Sequence, residues 1–257
     1  MRKVLEPNER LIVAIDIDPS NYNGKGDIVS DINRIIESLD GTGVILKFNS
    51  VIRFFGYAMI RELSAIVEQG GNKFFADLKL CDIPATLRND ARFLGLDTIA
   101  PDFVTVMCNA GQASIKALRD ELPDTTVLGV TVLTAIGERE SRMIHNATIQ
   151  TAVQNLAFSA SQAGLTGFVC SAQEARLIRD LIPTVTEIIT PAIRPAWSIV
   201  EGDDQDKSRI MTPEQAMLAG ADRIVVGRPI TQAKDPREAV LRTYEEIDKA
   251  QAALSLV

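Results

Sequence analysis

The residues best suited to chemistry are charged groups set at the ends of short apolar runs. Asp77 and Lys79 close the third such run, and Asp82 follows just beyond them. Lys47 ends the second run and Asp16 the first. Fixed charges of both signs in one ring act through electrostatics and proton transfer. Asp77 and Lys79 are two apart, so on a strand their side chains share one side. With Lys47 and Asp16 from neighbouring strands, the expected product is an alternating array of lysines and carboxylates. An internal ion-pair network that only closes one end of the fold would use the same residues. Such a network is weak evidence for stability, because desolvation offsets the attraction.

A second group suits an anion. Gly227-Arg228-Pro229 follows the last apolar run and offers backbone N–H groups beside a guanidinium. Arg194, in the loop Thr190-Pro191-Ala192-Ile193-Arg194-Pro195, adds a second cation or braces that loop. Thr134 closes the fifth run. Other reactive types point elsewhere. His145 is the only histidine and lies in a polar stretch, where exposure without a role is expected; one histidine does not support a His-based metal cluster or a Ser-His triad. Trp197 suits loop packing, and Cys170 a small buried side chain. Cys81, Cys108 and Cys170 show no metal-ligand spacing.

The elements that must position these groups follow from the hydrophobic pattern. Eight short runs are expected as strands: Leu11–Ile15, Val44–Phe48, Phe74–Leu78, Phe103–Met107, Val127–Leu133, Gly167–Cys170, Glu187–Thr190 and Arg223–Val226. Most lack strict alternation, as strands of a parallel sheet covered on both faces do. Amphipathic stretches lie between them at Asp27–Leu39, Ala58–Val67, 149–163, 172–182 and 236–249. Thr212-Pro213-Glu214 has the form of a helix start, and Gly220 of its end. Strands and helices alternating eight times predict a single-domain (β/α)₈ TIM barrel over residues 1–257, with an open doubly wound sheet as the alternative. In a barrel the charged strand ends converge at one mouth, and phosphate commonly binds after the last two strands. Glu201–Ser208 reads as a charged surface loop.

Composition narrows the function classes. The chain has 257 residues, 46 % of them hydrophobic, and a formal net charge of −7. An acidic balance argues against a general nucleic-acid binder, though not against a locally bound anion. No stretch approaches the roughly 18–20 apolar residues of a membrane span. Three cysteines without a recognisable signal peptide suggest reduced thiols and a cytoplasmic protein.

The segment Phe75-Ala76-Asp77-Leu78-Lys79-Leu80-Cys81-Asp82-Ile83-Pro84 closely resembles the Asp-x-Lys-x-x-Asp-Ile-Pro signature of the orotidine 5′-phosphate decarboxylases. The likeness runs nearly end to end. Leu11–Asp16, Val130–Thr134, Gly167–Ala175, Thr190–Pro195, Arg209–Ala216 and Val226–Gln232 resemble further segments of the family in the same order, and of its bacterial branch in the last three. The resemblance implies decarboxylation of orotidine 5′-phosphate to UMP, the last step of de novo pyrimidine nucleotide synthesis, with no metal or organic cofactor. It implies that Lys79 is the proton donor and that Asp77 lies against the substrate carboxylate. Lys47 and Asp16 match residues that hold the ribose hydroxyls and the charged array. Asp82, Ile83 and Thr86 match a segment reaching the active site of a partner subunit, which implies a homodimer with shared sites. Thr134 matches the residue at the pyrimidine edge. Arg194, Gln205, Gly227 and Arg228 match loop and phosphate-binding positions.

Several positions depart from the family pattern. Ala192 stands where glycine is common; if the backbone there needs positive φ, alanine costs about 1 kcal/mol. Met107 stands in place of a common histidine, Asn49 of glycine, Ala85 of Asn or Thr, and Cys81 of histidine. The loop Gly202–Arg209 is longer than usual. Two rival functions share much of this pattern. One is a Mg²⁺-dependent sugar-phosphate decarboxylase or aldolase of the same barrel type; the other is a non-catalytic nucleotide-binding barrel.

Overall fold

The computed structural model describes residues 5–96, 100–199 and 211–254. Eight strands form one closed barrel: β1 (Leu11–Ile15), β2 (Ile45–Phe48), β3 (Lys73–Leu80), β4 (Phe103–Met107), β5 (Thr126–Val130), β6 (Gly167–Val169), β7 (Glu187–Thr190) and β8 (Arg223–Val226). All neighbours pair in parallel, and β8 pairs back to β1 through Leu11↔Ile224 and Ile12↔Val225. That closing pair rules out the open sheet.

The two-residue period of each strand sorts its side chains into two cores. Leu11, Val13 and Ile15 face the surrounding helices, as do Leu46 and Phe48; they join the large outer core. Ile12, Ala14, Ile45, Phe75, Phe103, Leu128, Ile189 and Val225 fill the barrel interior as a separate apolar layer. One step of the period beyond this layer, at the C-terminal ends, come Asp16, Lys47, Asp77 and Thr105. One step before it, at the N-terminal ends, come Lys73, Glu187 and Arg223. The interior is therefore an apolar floor between two charged layers.

The expected helices form with small shifts at their ends: Lys25–Ser38, Ala58–Gln69, Ile149–Gln162, Ala172–Leu181 and Pro236–Leu254. The helix Pro213–Leu218 begins on Thr212, whose side chain accepts from Gln215 N while the Gln215 side chain accepts from Thr212 N. Gly220 follows that helix at φ 106°, a backbone conformation glycine adopts without strain.

Three expectations need correction. The fifth strand ends at Val130, not Leu133, so Thr134 lies in the following turn. There Thr131 N and Oγ1 both bond to Val169 O, and Ile136 N reaches back to Leu133 O. Helices Ser50–Phe55, Pro84–Leu94, Gln112–Asp120 and Glu138–His145 were not expected. Pro84–Leu94 buries only Leu87, Ala91 and Leu94, too sparse a stripe to stand out among its charged neighbours. His145 ends one of these helices half-buried rather than exposed, and its Nε2 is buried without a hydrogen-bond partner. Gln205 and the loop Glu201–Ser208 lie outside the described residues.

Candidate active site

Asp77 is the centre of the charged layer at the C-terminal mouth. Its side chain is only 9 % exposed, yet it meets two lysines: Lys79 Nζ lies 2.8 Å from Asp77 Oδ2, and Lys47 Nζ 3.1 Å from the same oxygen. Lys79 Nζ is also 2.8 Å from Oδ1. Asp16 stands at the rim, more than half exposed, with Oδ1 4.0 Å from Lys47 Nζ. Burial pushes the Asp77 carboxyl up, but the charges of Lys47 and Lys79 and the bonds from Lys79 and Thr105 outweigh it. The carboxyl is held below the usual carboxylate range. The site thus presents two ammonium groups and one buried carboxylate.

Strand pleating brings Lys47 and Asp77 inward, but Lys79 arrives by another route. Between Ala76↔Val104 and Leu80↔Val106 the β3–β4 register shifts, so β3 carries extra residues against β4. Lys79 sits in this irregularity at φ 50°, a left-handed conformation rare for a residue with a Cβ. Two-residue alternation on a regular strand is therefore an incomplete reason for its aim. Thr105 Oγ1 accepts from Lys79 N at 2.8 Å and donates to Asp77 Oδ1 at 2.8 Å. This buried threonine was not singled out in the sequence. Its signal was a hydroxyl two residues after inward-facing Phe103, in an otherwise apolar run.

Asp82 does not join this set within one chain. It is exposed, and its Oδ1 accepts from Ile83 N at 2.7 Å. Ile83 is the N-cap residue of helix Pro84–Leu94 and is 64 % exposed, while Thr86 is half-buried in the first turn. Together these residues place an exposed apolar group beside a carboxylate at the rim.

The anion-binding candidates share the same mouth on the β7 and β8 side. Gly227 is the N-cap of the short helix Arg228–Thr231, and Arg228 is exposed at its first position. Arg194 is half-buried; its backbone N donates to Met211 O at 3.0 Å beside the Ile193↔Met211 bridge. Ala192 sits at φ 63°, so the position does take the conformation that favours glycine. Trp197 packs in its loop with the Arg242 guanidinium 4.7 Å from its ring centre. Cys108 and Cys170 are buried, and burial raises both thiols, Cys108 to about 12. Among the described residues no group of three or more His, Cys, Asp or Glu is placed to hold a metal ion. Among them, too, no helix is long and apolar enough to cross a membrane.

A closed parallel barrel with a lysine–carboxylate centre at its C-terminal mouth defines a (β/α)₈-barrel enzyme. Residues 9–243 match the model of the orotidine 5′-phosphate decarboxylase / HUMPS family, and the chain belongs to that family. Among its relatives is an orotidine 5′-phosphate decarboxylase from Streptococcus sanguinis, 41 % identical over 76 % of this chain and 82 % of the relative. Another, from Methylorubrum extorquens, is 33 % identical over 97 % of this chain and the whole of the relative. A solved orotidine 5′-phosphate decarboxylase from Lactobacillus acidophilus superposes with a TM-score of 0.72 at 30 % identity, covering 93 % of this chain and 99 % of the other.

Proposed function

We infer that this barrel decarboxylates orotidine 5′-phosphate to UMP, and that Lys79 supplies the proton. Family membership and the relatives' activity support the reaction. The observation that carries the residue roles is Asp77 buried between Lys47 and Lys79. In the reaction the bond from C6 to the carboxylate carbon breaks, its electron pair stays on C6, and CO₂ leaves. The Lys79 ammonium stabilises that developing charge and then transfers a proton from Nζ to C6. A fixed cation gains attraction as charge moves onto C6, so it stabilises the transition state more than the ground state. Asp77 holds the Lys79 ammonium and lies against the departing carboxylate. We propose that the reaction needs no metal or organic cofactor, since the two lysines supply the positive charge.

The remaining assignments complete the same reading. Lys47 and Asp16 hold the ribose hydroxyls, and Thr134 the pyrimidine edge. Gly227, Arg228 and Arg194 hold the phosphate, and the family resemblance adds Gln205, which lies outside the described residues. Phosphate binding far from C6 contributes energy for closing the site against water. The protein works as a homodimer in the cytoplasm, with Asp82, Ile83 and Thr86 of one subunit completing the site of the other. The exposure of Ile83 and of Phe93, on the helix that follows, supports a covered face there.

Replacing Lys79 with alanine tests the central role. Turnover of orotidine 5′-phosphate is expected to fall roughly 10³-fold or more, while UMP still binds. Turnover retained in Lys79→Ala overturns the proton-donor assignment.

A further inference from the structure

The Leu78–Lys79 peptide is held by side chains on both edges. Its carbonyl, Leu78 O, accepts from Arg53 Nη2 at 2.8 Å. Its amide, Lys79 N, donates to Thr105 Oγ1 at 2.8 Å. This peptide lies where the β3–β4 register shifts, between Ala76 and Leu80. It also precedes a lysine in the left-handed region, which a residue with a Cβ occupies only when its surroundings enforce it.

We propose that Thr105 and Arg53 are positioning residues that clamp this peptide and thereby aim the Lys79 ammonium at the reacting carbon. The inference rests on Lys79 as proton donor and adds two groups outside the ionic set. Thr105 is the stronger of the two, because one hydroxyl ties two parts of the centre together. It accepts from the Lys79 backbone and donates to Asp77 Oδ1, so backbone and carboxylate are set by a single atom. The residue is 1 % exposed, so bulk water does not compete for its two bonds in the folded protein. Arg53 comes from the helix Ser50–Phe55 that follows β2, the strand carrying Lys47. The two lysines of the centre are thereby linked through the backbone as well as through Asp77. A clamp of this kind matters because a misplacement of about 1 Å costs on the order of 10²-fold in rate.

The test combines steady-state kinetics with amide hydrogen exchange at Lys79 in Thr105→Val, Thr105→Ser, Arg53→Met and the Thr105→Val/Arg53→Met double variant. Thr105→Val keeps the shape and removes both bonds; its kcat is expected to fall roughly 10- to 100-fold with KM little changed. Its Lys79 amide exchanges faster than in the wild type. Thr105→Ser restores both bonds and recovers most of kcat and of the protection. Arg53→Met, at an exposed position that folding tolerates, gives a smaller fall. The double variant loses less than the product of the single losses, since both groups hold one peptide. Wild-type kcat and wild-type Lys79 exchange in Thr105→Val overturn the proposal, as do multiplicative losses in the double variant. If the wild type itself does not consume orotidine 5′-phosphate, the functional reading fails, while amide exchange still decides whether the clamp exists.

Discussion

The barrel interior carries two ionic layers, one at each mouth, and they differ in what the protein does with charge. At the N-terminal mouth Arg223 pairs one-to-one with Glu187, and its guanidinium lies 5.3 Å from the centre of the Phe103 ring. Burial dominates there: it raises the Glu187 carboxyl despite the adjacent arginine. At the C-terminal mouth two lysines share one buried carboxylate, and there the cations win, lowering Asp77. The first layer is a buried arginine–glutamate pair that plugs the barrel beneath the apolar floor, with Lys73 exposed at its edge. The second carries more positive than negative charge at its buried centre and lies at the C-terminal mouth, where active sites of such barrels sit. Excess fixed cation is a poor device for stability and a good one for meeting an anion whose charge shifts during reaction.

The sharpest way to break this contrast is at Asp77. Asp77→Asn is expected to lower kcat by roughly 10³-fold, because Lys79 and Lys47 lose the anion that holds both in place. Its thermal stability falls as well, because the ionised Asp77 carboxylate contributes to folding. A variant that keeps its turnover but loses most of its stability would invert the comparison.

At the N-terminal mouth the ranking is opposite. Glu187→Leu leaves Arg223 buried and unable to shed its proton, and is expected to cost about 3 kcal/mol of unfolding free energy with kcat nearly unchanged. Arg223→Met costs less, since Glu187, whose carboxyl burial already raises, can take up a proton and so neutralise itself. Urea denaturation of both variants checks the order. Equal losses, or a large fall in kcat, would show that the plug is coupled to the site.

Acid separates the layers further. The Asp77 carboxyl is lowered in the folded state, so its contribution to stability is present above the unfolded value of 3.8 and is lost as pH falls through the lower folded value. Glu187 is raised, so its ionised form opposes folding and protonation relieves that cost as pH falls. Asp77→Asn is therefore expected to flatten the loss of stability below pH 3.8, and Glu187→Gln to leave that loss in place. Melting temperatures across the acid range read this directly. The smallest expected effect is at Ala192, whose φ of 63° favours glycine. Ala192→Gly gains less than about 1 kcal/mol, because relief of the strain is partly offset by the greater freedom of glycine in the unfolded chain.

Much of this organisation is legible in the chain. Eight apolar runs and their charged ends suffice for the barrel, and the two-residue period suffices for Lys47 and Asp77. Lys79 was expected to face the barrel axis for an incomplete reason, since its aim depends on a register shift that no local pattern announces. Thr105 was missed because a threonine inside Phe103–Met107 looks like ordinary strand composition until its inward face is known. The end of β5 was misplaced because Val132 and Leu133 extend the apolar run past the last ladder bond, into a turn. Asp82 and Ile83 are exposed in the single chain, and the role proposed for them needs a second copy.

The most direct test of the account is the ultraviolet absorbance of orotidine 5′-phosphate mixed with the purified protein in EDTA. Rapid conversion to UMP is the predicted result, and it establishes both the reaction and its independence from a metal. No conversion by folded, dimeric protein, or conversion that EDTA abolishes and Mg²⁺ restores, would contradict it.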